Sequence, residues 1–384
     1  MILTHCAACA KPIEHDAPSR CVGCQTRYCG DRCLRYHAHR GGHDDECEEI
    51  ANGGGAEQYH AEKKYEEALV TATEACAEDT KDQTCYICME GAAAEGLVRG
   101  CACRGGAGVA HVSCLARQAK ILVAEAEERD LDDEAVQARW DRWNTCRLCE
   151  QRYHGVVMCA LGWACWKTYV GRPEEHWARR MAMNQLANGL AVAEYHEDSL
   201  SVREAELATE ERLGASPLRT LVTRGNLALS YYHLGRIEDA LRLQREVYTG
   251  WQILSVSSEV LSSSALREAV GDSLAISVGN LTELLVAARE FEEAQSLARE
   301  KLPAIIDRHG PDDPLTLEVR TWYARALFRA GDAAEDDVSE AEEVLEDVLL
   351  RSKRVLGDSH PDTERARKFL EEVRSARADA AEES

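Results

Sequence analysis

Apolar positions recur at helical spacing through the second half of the chain and only in patches through the first 150 residues. From about Val156 onward the period is helical. Asn226-Leu-Ala-Leu-Ser-Tyr-Tyr-His-Leu-Gly-Arg-Ile-Glu-Asp-Ala240 echoes Asn280-Leu-Thr-Glu-Leu-Leu-Val-Ala-Ala-Arg-Glu-Phe-Glu-Glu-Ala294, with 14 positions from asparagine to alanine in each. Trp322 aligns with those asparagines, and an earlier copy runs from Gln185 to Ser199. The copies begin 41, 54 and 42 positions apart (Gln185, Asn226, Asn280, Trp322), so the long interval holds an insertion, placed at the serine-rich Ser255–Ser264. A period near 42 residues made of two helices predicts a solenoid, because one helix pair cannot bury its apolar face alone. Earlier in the chain, Glu57–Ala77 predicts an amphipathic helix with Tyr65, Ala68, Leu69 and Ala72 on one face, and Ala119–Arg129 predicts another of strong helix formers.

Between these patches the chain is organised by cysteine. Of its 17 cysteines, 14 fall in two eight-residue sets completed by histidine. The first is Cys6, Cys9, Cys21, Cys24, Cys29, Cys33, His43 and Cys47, and the second is Cys85, Cys88, Cys101, Cys103, His111, Cys114, Cys146 and Cys149. Cysteine pairs at two-residue gaps, with no secretory signal after Met1, predict metal thiolates in a cytoplasmic or nuclear setting rather than disulfides. Zinc takes four such ligands in a tetrahedron, so two sets of eight predict four Zn2+ ions. Metal substitutes for the core that segments this short cannot build. Metal removal is expected to unfold residues 1–150 and spare the repeats. In the first set His37 and His39 rival His43 as the histidine ligand, and the His-x-x-x-Cys spacing to Cys47 favours His43. Cys76, Cys159 and Cys165 have no partners and read as small buried hydrophobes.

Three resemblances follow from these residues. The order of the first set resembles the MYND zinc finger, although the gap from Cys33 to His43 is longer than usual. The family topology implies that Cys6, Cys9, Cys29 and Cys33 share one ion, and Cys21, Cys24, His43 and Cys47 another. It also implies binding of short peptides. The second set, with its tight Cys101-Ala-Cys103-Arg-Gly and its seven-residue gap to His111, resembles the RING-CH (RING-variant) finger. That implies a cross-brace, with Cys85, Cys88, His111 and Cys114 on one ion and Cys101, Cys103, Cys146 and Cys149 on the other. It further implies a RING-type E3 ubiquitin ligase without catalytic side chains of its own, docking a ubiquitin-conjugating enzyme through Ile87 in the first knuckle. Gln118 stands where the family often has tryptophan, and the Ala116–Trp143 segment is long, expected to protrude from the zinc core. A non-catalytic adaptor and a PHD-like histone-tail reader are the alternatives. The repeats resemble tetratricopeptide repeats, and the turns Arg308–Thr316 and Val355–Thr363 resemble those of kinesin-light-chain type. Their groove is expected to hold protein or peptide partners, with His309 and His360 as turn residues.

The expected fold is therefore mainly α: two small cross-brace zinc modules followed by an α-helical TPR-like solenoid. The expected segments are a MYND-type finger (1–50), a helical linker (51–80), a RING-CH-type finger with an inserted helix (81–155), TPR-like repeats (156–374) and an acidic tail (375–384) expected to fray. The formal charge of −23 disfavours nucleic acid as a general partner. The longest apolar run, Gly155–Trp166, is too short for a bilayer span of roughly 20 residues, so no membrane association is expected. No phosphate-binding loop, dinucleotide fingerprint or His-Glu-x-x-His motif occurs.

Overall fold

The structure, a computed structural model, describes residues 5–11, 13, 19–93, 95–330, 334–358 and 360–382, with backbone alone for 379–382. Gly331, which closes the fourth repeat phrase, and the last two residues of the tail lie outside the described residues. The chain divides into two compact units, residues 1–215 and 216–384.

The first unit begins with a two-residue hairpin, β1 (Ser19–Arg20) and β2 (Arg27–Tyr28), followed by α1 (Asp31–Arg40), α2 (His43–Asn52) and α3 (Ala56–Cys76). Then come α4 (Val112–Glu128), α5 (Asp133–Trp140), α6 (Gly155–Tyr169), α7 (Trp177–Val192) and α8 (His196–Arg212). The centre is α6. Val157 through Leu161 and Trp163 through Trp166 are all buried, which is why this segment reads as a continuous apolar run rather than a stripe. It packs against α3, α4 and α7. Its crossing with α7 depends on two glycines: a Cβ on Gly189 would come within 2.7 Å of the Met158 carbonyl, and one on Gly162 within 3.2 Å of the Leu186 Cα.

The predicted helix over 57–77 is α3, which buries Ala61, Tyr65, Ala72 and Cys76 along α6. The segment after Cys114 does not protrude as expected. It forms α4, whose Leu115, Ala119, Val123 and Ala126 lie at helical spacing and are buried, the first three in the same core as α6. Cys76, Cys159 and Cys165 are buried in that core as read. Burial pushes the Cys159 thiol up to about 12 and Cys165 well above its ordinary value, so both stay neutral and packed.

The second unit is a TPR-like helical solenoid. Its helices are α9 (Pro217–His233), α10 (Ile237–Ser255), α11 (Ser258–Ser262), α12 (Ser264–Ala287), α13 (Phe291–His309), α14 (Pro314–Arg329), α15 (Glu335–Val355) and α16 (Pro361–Glu382). The first helices of successive pairs touch one another, α9 on α12, α12 on α14 and α14 on α16, while α10, α13 and α15 form the second layer. Short α11 is the insertion located at Ser255–Ser264. By length and composition α12 could cross a bilayer, but half of its apolar window is buried inside this unit. The tail expected to fray continues α16 to Glu382.

The repeat register is visible in the turns. Nine positions after Gln185, Asn226 and Asn280 stand Glu194, Gly235 and Arg289, all with positive φ (65°, 76° and 64°). Each turn closes with the same pair of bonds: Tyr195 N–H to Leu190 O (2.9 Å), Arg236 N–H to Tyr231 O (2.9 Å) and Glu290 N–H to Leu285 O (2.8 Å), with the inner bond one residue inside. This is the Schellman arrangement, which satisfies the last carbonyls of the first helix of each pair. Five positions later Ser199, Ala240 and Ala294 are buried, where only a small side chain fits between the helices. In the turns before α14 and α16, Asp313 caps α14 through Leu315 N–H (2.9 Å), and His360 Nδ1 accepts from Asp362 N–H (3.2 Å). His360 is thus a turn residue, as read, whereas His309 is the last residue of α13 rather than part of the turn.

Candidate metal centres

The structure gathers the sixteen predicted ligands into four groups whose donor atoms all lie within 4.8 Å of one another. They are Cys6, Cys9, Cys29 and Cys33; Cys21, Cys24, His43 and Cys47; Cys85, Cys88, His111 and Cys114; and Cys101, Cys103, Cys146 and Cys149. Residues far apart in sequence are interleaved in both halves, because each group draws one pair from one knuckle and one from a later segment.

Each Cys-x-x-Cys knuckle is built alike. The residue after its second cysteine has positive φ: Ala10 (55°), Gln25 (62°), Met89 (65°) and Glu150 (57°). The first cysteine's N–H then bonds the carbonyl five residues on, at 2.8 Å from Cys6 to Lys11, 2.9 Å from Cys21 to Thr26, 2.8 Å from Cys85 to Glu90 and 2.9 Å from Cys146 to Gln151. The turn leaves amides aimed at sulfur. Ile87 N–H lies 3.4 Å from Cys85 Sγ, and Leu148 N–H 3.4 Å from Cys146 Sγ. None of the four left-handed residues is glycine, so nothing in composition marks these turns.

The spacing of the donors tests which ion they fit. Zinc bonds of about 2.3 Å to sulfur and about 2.0–2.1 Å to imidazole nitrogen, at tetrahedral angles, place two sulfurs about 3.8 Å apart and sulfur and nitrogen about 3.5 Å apart. The observed sulfur pairs are 3.7 Å (Cys9–Cys29), 3.5 Å (Cys29–Cys33), 3.6 Å (Cys21–Cys47) and 3.8 Å (Cys103–Cys146). Cys24 Sγ is 3.5 Å from His43 Nε2, and Cys88 and Cys114 Sγ are 3.4 and 3.8 Å from His111 Nδ1. These are tetrahedral edges, far longer than a disulfide. The soft, all-protein donor set fits zinc in closed sites.

The sulfur electrostatics agree. Burial alone would lift the Cys21 thiol, but the amides of Cys24 and Gly23 and the His43 ring outweigh it and hold it at about 6. Its hydrogen bond to Cys21 pushes Cys47 up to about 12. Likewise burial is outweighed at Cys85, held at about 7 by the amides of Cys88, His111 and Ile87, while burial and Cys88 push Cys114 up to about 12. Thiolates this close repel, so a divalent cation among them is what allows every sulfur to ionise together.

The histidine alternatives are resolved by position. His43 is buried and enters its group through Nε2, whereas the His37 Nδ1 is 3.0 Å from the Tyr28 hydroxyl and His39 is exposed. In the second module His111 Nε2 lies 3.1 Å from the Gly91 carbonyl. A proton on Nε2 leaves the Nδ1 lone pair facing the sulfurs, the usual outer support of a ligating histidine.

Several supporting residues carried no signal in sequence. Arg99 donates from Nε to Asp79 (2.7 Å) and from a terminal nitrogen to the Gly105 carbonyl (2.5 Å), pinning the glycine-rich loop beside Cys101 and Cys103. Glu95 accepts from Ser113 N–H (2.9 Å) and caps α4 just after His111. Arg27, nearly buried, faces Glu57 and Glu174 at 3.8 Å each, and Glu57 also takes Arg179 at 2.9 Å. This ionic cluster, with Ala56 N–H bonded to Cys24 O (2.8 Å), seats the first finger on α3 and α7. Ile87 is half-buried, while Met89 is 73 % and Leu148 51 % exposed, so three knuckle side chains present apolar surface. Gln118 is half-buried on α4.

Comparison with known proteins places these parts. A family profile described as the RING-variant domain matches residues 85–149, and one for tetratricopeptide repeats matches residues 220–255 and 324–362. The first match favours the RING-variant reading of the second set over a PHD finger. No curated protein matches the sequence. Among solved structures the chain is similar to two crystal structures of nearly identical TPR-like repeats of a Podosopora anserina kinesin light chain. Both are 19 % identical and cover 64 % of this chain and 97 % of that chain, with TM-scores of 0.37 and 0.36. Fold and site thus define a protein-interaction protein whose Cys/His groups suit zinc, carrying a RING-variant domain and tetratricopeptide repeats.

Proposed function

We propose that this chain is a RING-type E3 ubiquitin ligase that holds four zinc ions in the sixteen Cys/His positions. Its RING-variant module would dock a ubiquitin-charged conjugating enzyme, and its repeats and MYND-like finger would recruit protein substrates, in cytoplasm or nucleus. The observation that carries the reading is the RING-variant match over 85–149 together with apolar Ile87, Met89 and Leu148 offered at the two knuckles. Both metal groups of the module have four protein donors, which leaves no position for an activated water, so zinc's role when bound is to hold the fold. Catalysis would be orientation alone: the docking face holds the enzyme–ubiquitin thioester in a reactive geometry and spares it the entropy of finding one. The buried placement of α4 supports this, since the long insertion is folded into the core rather than standing free.

The test incubates the zinc-loaded chain with activating enzyme, ubiquitin, ATP and a panel of conjugating enzymes. Self-ubiquitination that is lost in Ile87→Ala, with zinc content unchanged, is expected. Silence across the panel with all zinc retained would refute the ligase and leave a peptide-binding adaptor, for which the half-buried Gln118 speaks.

A further inference from the structure

Helix α1 carries a cationic stripe on an acidic protein. Arg32, Arg35, Tyr36, His39 and Arg40 are all exposed and fall at the i, i+3, i+4, i+7, i+8 spacing of a single helix face. Cys33, Leu34, His37 and Ala38 form the opposite, half-buried face, which carries the Cys33 ligand and the Tyr28 contact. Tyr36 is 57 % exposed. No carboxylate among the described residues pairs with Arg32, Arg35 or Arg40, whereas Arg27, Arg99, Arg172, Arg179 and Arg203 elsewhere in the same unit each face one. Residues 31–40 hold three arginines against Asp31, a net +2, on a chain whose formal charge is −23.

We propose that this face of α1 docks a short acidic segment of a partner protein, its carboxylates on Arg32, Arg35 and Arg40 and its backbone or an apolar side chain against Tyr36. The chemistry matches: a guanidinium fork donates two parallel N–H bonds to the oxygens of a carboxylate. The stripe is about 12 Å long, from the helix rise over eight residues. Immediately beyond it α2 exposes Asp44, Asp45, Glu46, Glu48 and Glu49. A nucleic acid or an anionic bilayer presents charge well past such a stripe and would meet these carboxylates within a Debye length of about 8 Å. A short acidic peptide fits the stripe alone, so charge complementarity selects it. The proposal stands apart from the ligase reading, since it needs only the folded first finger.

The test measures fluorescence anisotropy of a labelled Asp/Glu-rich dodecapeptide with the full zinc-loaded chain at low salt. A Lys-rich peptide, a 12-nucleotide single-stranded RNA and phosphatidylserine vesicles serve as parallel probes. The expected result is binding of the acidic peptide alone, weakened by salt. An exposed ion pair is worth roughly a factor of two to five, so the triple variant Arg32→Gln, Arg35→Gln, Arg40→Gln should bind about tenfold or more weakly. An unchanged zinc-to-protein ratio in that variant, and a matching loss in the double variant Arg35→Glu, Arg40→Glu, separate lost contacts from a lost finger. Absence of peptide binding, binding that survives both variants, or RNA or vesicles bound as well as the peptide would each overturn the proposal.

Discussion

Replacing Glu283 by glutamine should stabilise the repeats at neutral pH and not at acid pH. Glu283 projects from α12 toward a face shared with Tyr232 of α9, Glu318 of α14 and Asp362 and Arg365 of α16. Burial, with Glu318 and Asp362 adding repulsion, raises its carboxyl from 4.5 to about 7, and Arg365 and the Tyr232 hydrogen bond offset only part of this. A carboxyl with a raised folded midpoint is neutral in both states below about 4.5, so it then costs nothing. Between about 4.5 and 7 the unfolded chain releases its proton and the folded chain keeps it, so stability falls as pH rises. Above that window the full cost remains, at roughly 1.4 kcal/mol per pH unit, or about 3 kcal/mol as an upper bound. Glu283→Gln keeps the shape and a hydrogen-bonding group toward Tyr232 and removes the charge. For a unit of this size about 2–4 °C accompanies each kcal/mol, so thermal melts followed by circular dichroism should show a gain of about 5–10 °C at pH 8. At pH 4.5 the variant and the parent should coincide. An equal gain at both pH values, or none at pH 8, would refute the electrostatic argument.

Removal of zinc by a chelator should unfold more than residues 1–150. Cys85, Cys101 and Cys146 share one core with Leu161, Leu186 and Val202, so hydrogen exchange should report loss of protection through α8 while residues 216–384 keep theirs. Gly108→Ala should abolish the Cys101 group. Its φ is +75° and a Cβ would stand 2.7 Å from Cys103 Cβ and 2.9 Å from Cys101 Sγ, so native mass spectrometry should find one zinc fewer than in the parent. Glu150→Gly should stabilise the zinc-loaded first unit by about 0.5–1 kcal/mol, since the left-handed turn at φ 57° disfavours a side chain; a lower melting temperature would contradict that.

Much of this protein is written in local spacing. Knuckle gaps, the close Cys101-Ala-Cys103 pair and the recurrence from Asn226 to Asn280 are covalent facts. Each reports a physical need that acts over a few residues: two sulfurs reaching one ion, or one helix turn returning to its face. The position of the insertion, the helix over 57–77 and the buried lone cysteines were legible for the same reason. Other features arise only when distant segments meet. Periodicity marked the helix after Cys114 but could not say that its apolar stripe meets α6, so the segment read as a protrusion. His43 was separated from His37 and His39 by which ring the fold turns toward Cys24. The left-handed residues after each knuckle are ordinary side chains, held there by ring closure around the cysteines, so composition hides them. The cationic stripe on α1, without a carboxylate partner among the described residues, and the raised Glu283 belong to the same class. A charge becomes costly or available according to what tertiary packing places beside it, and no linear pattern carries that information.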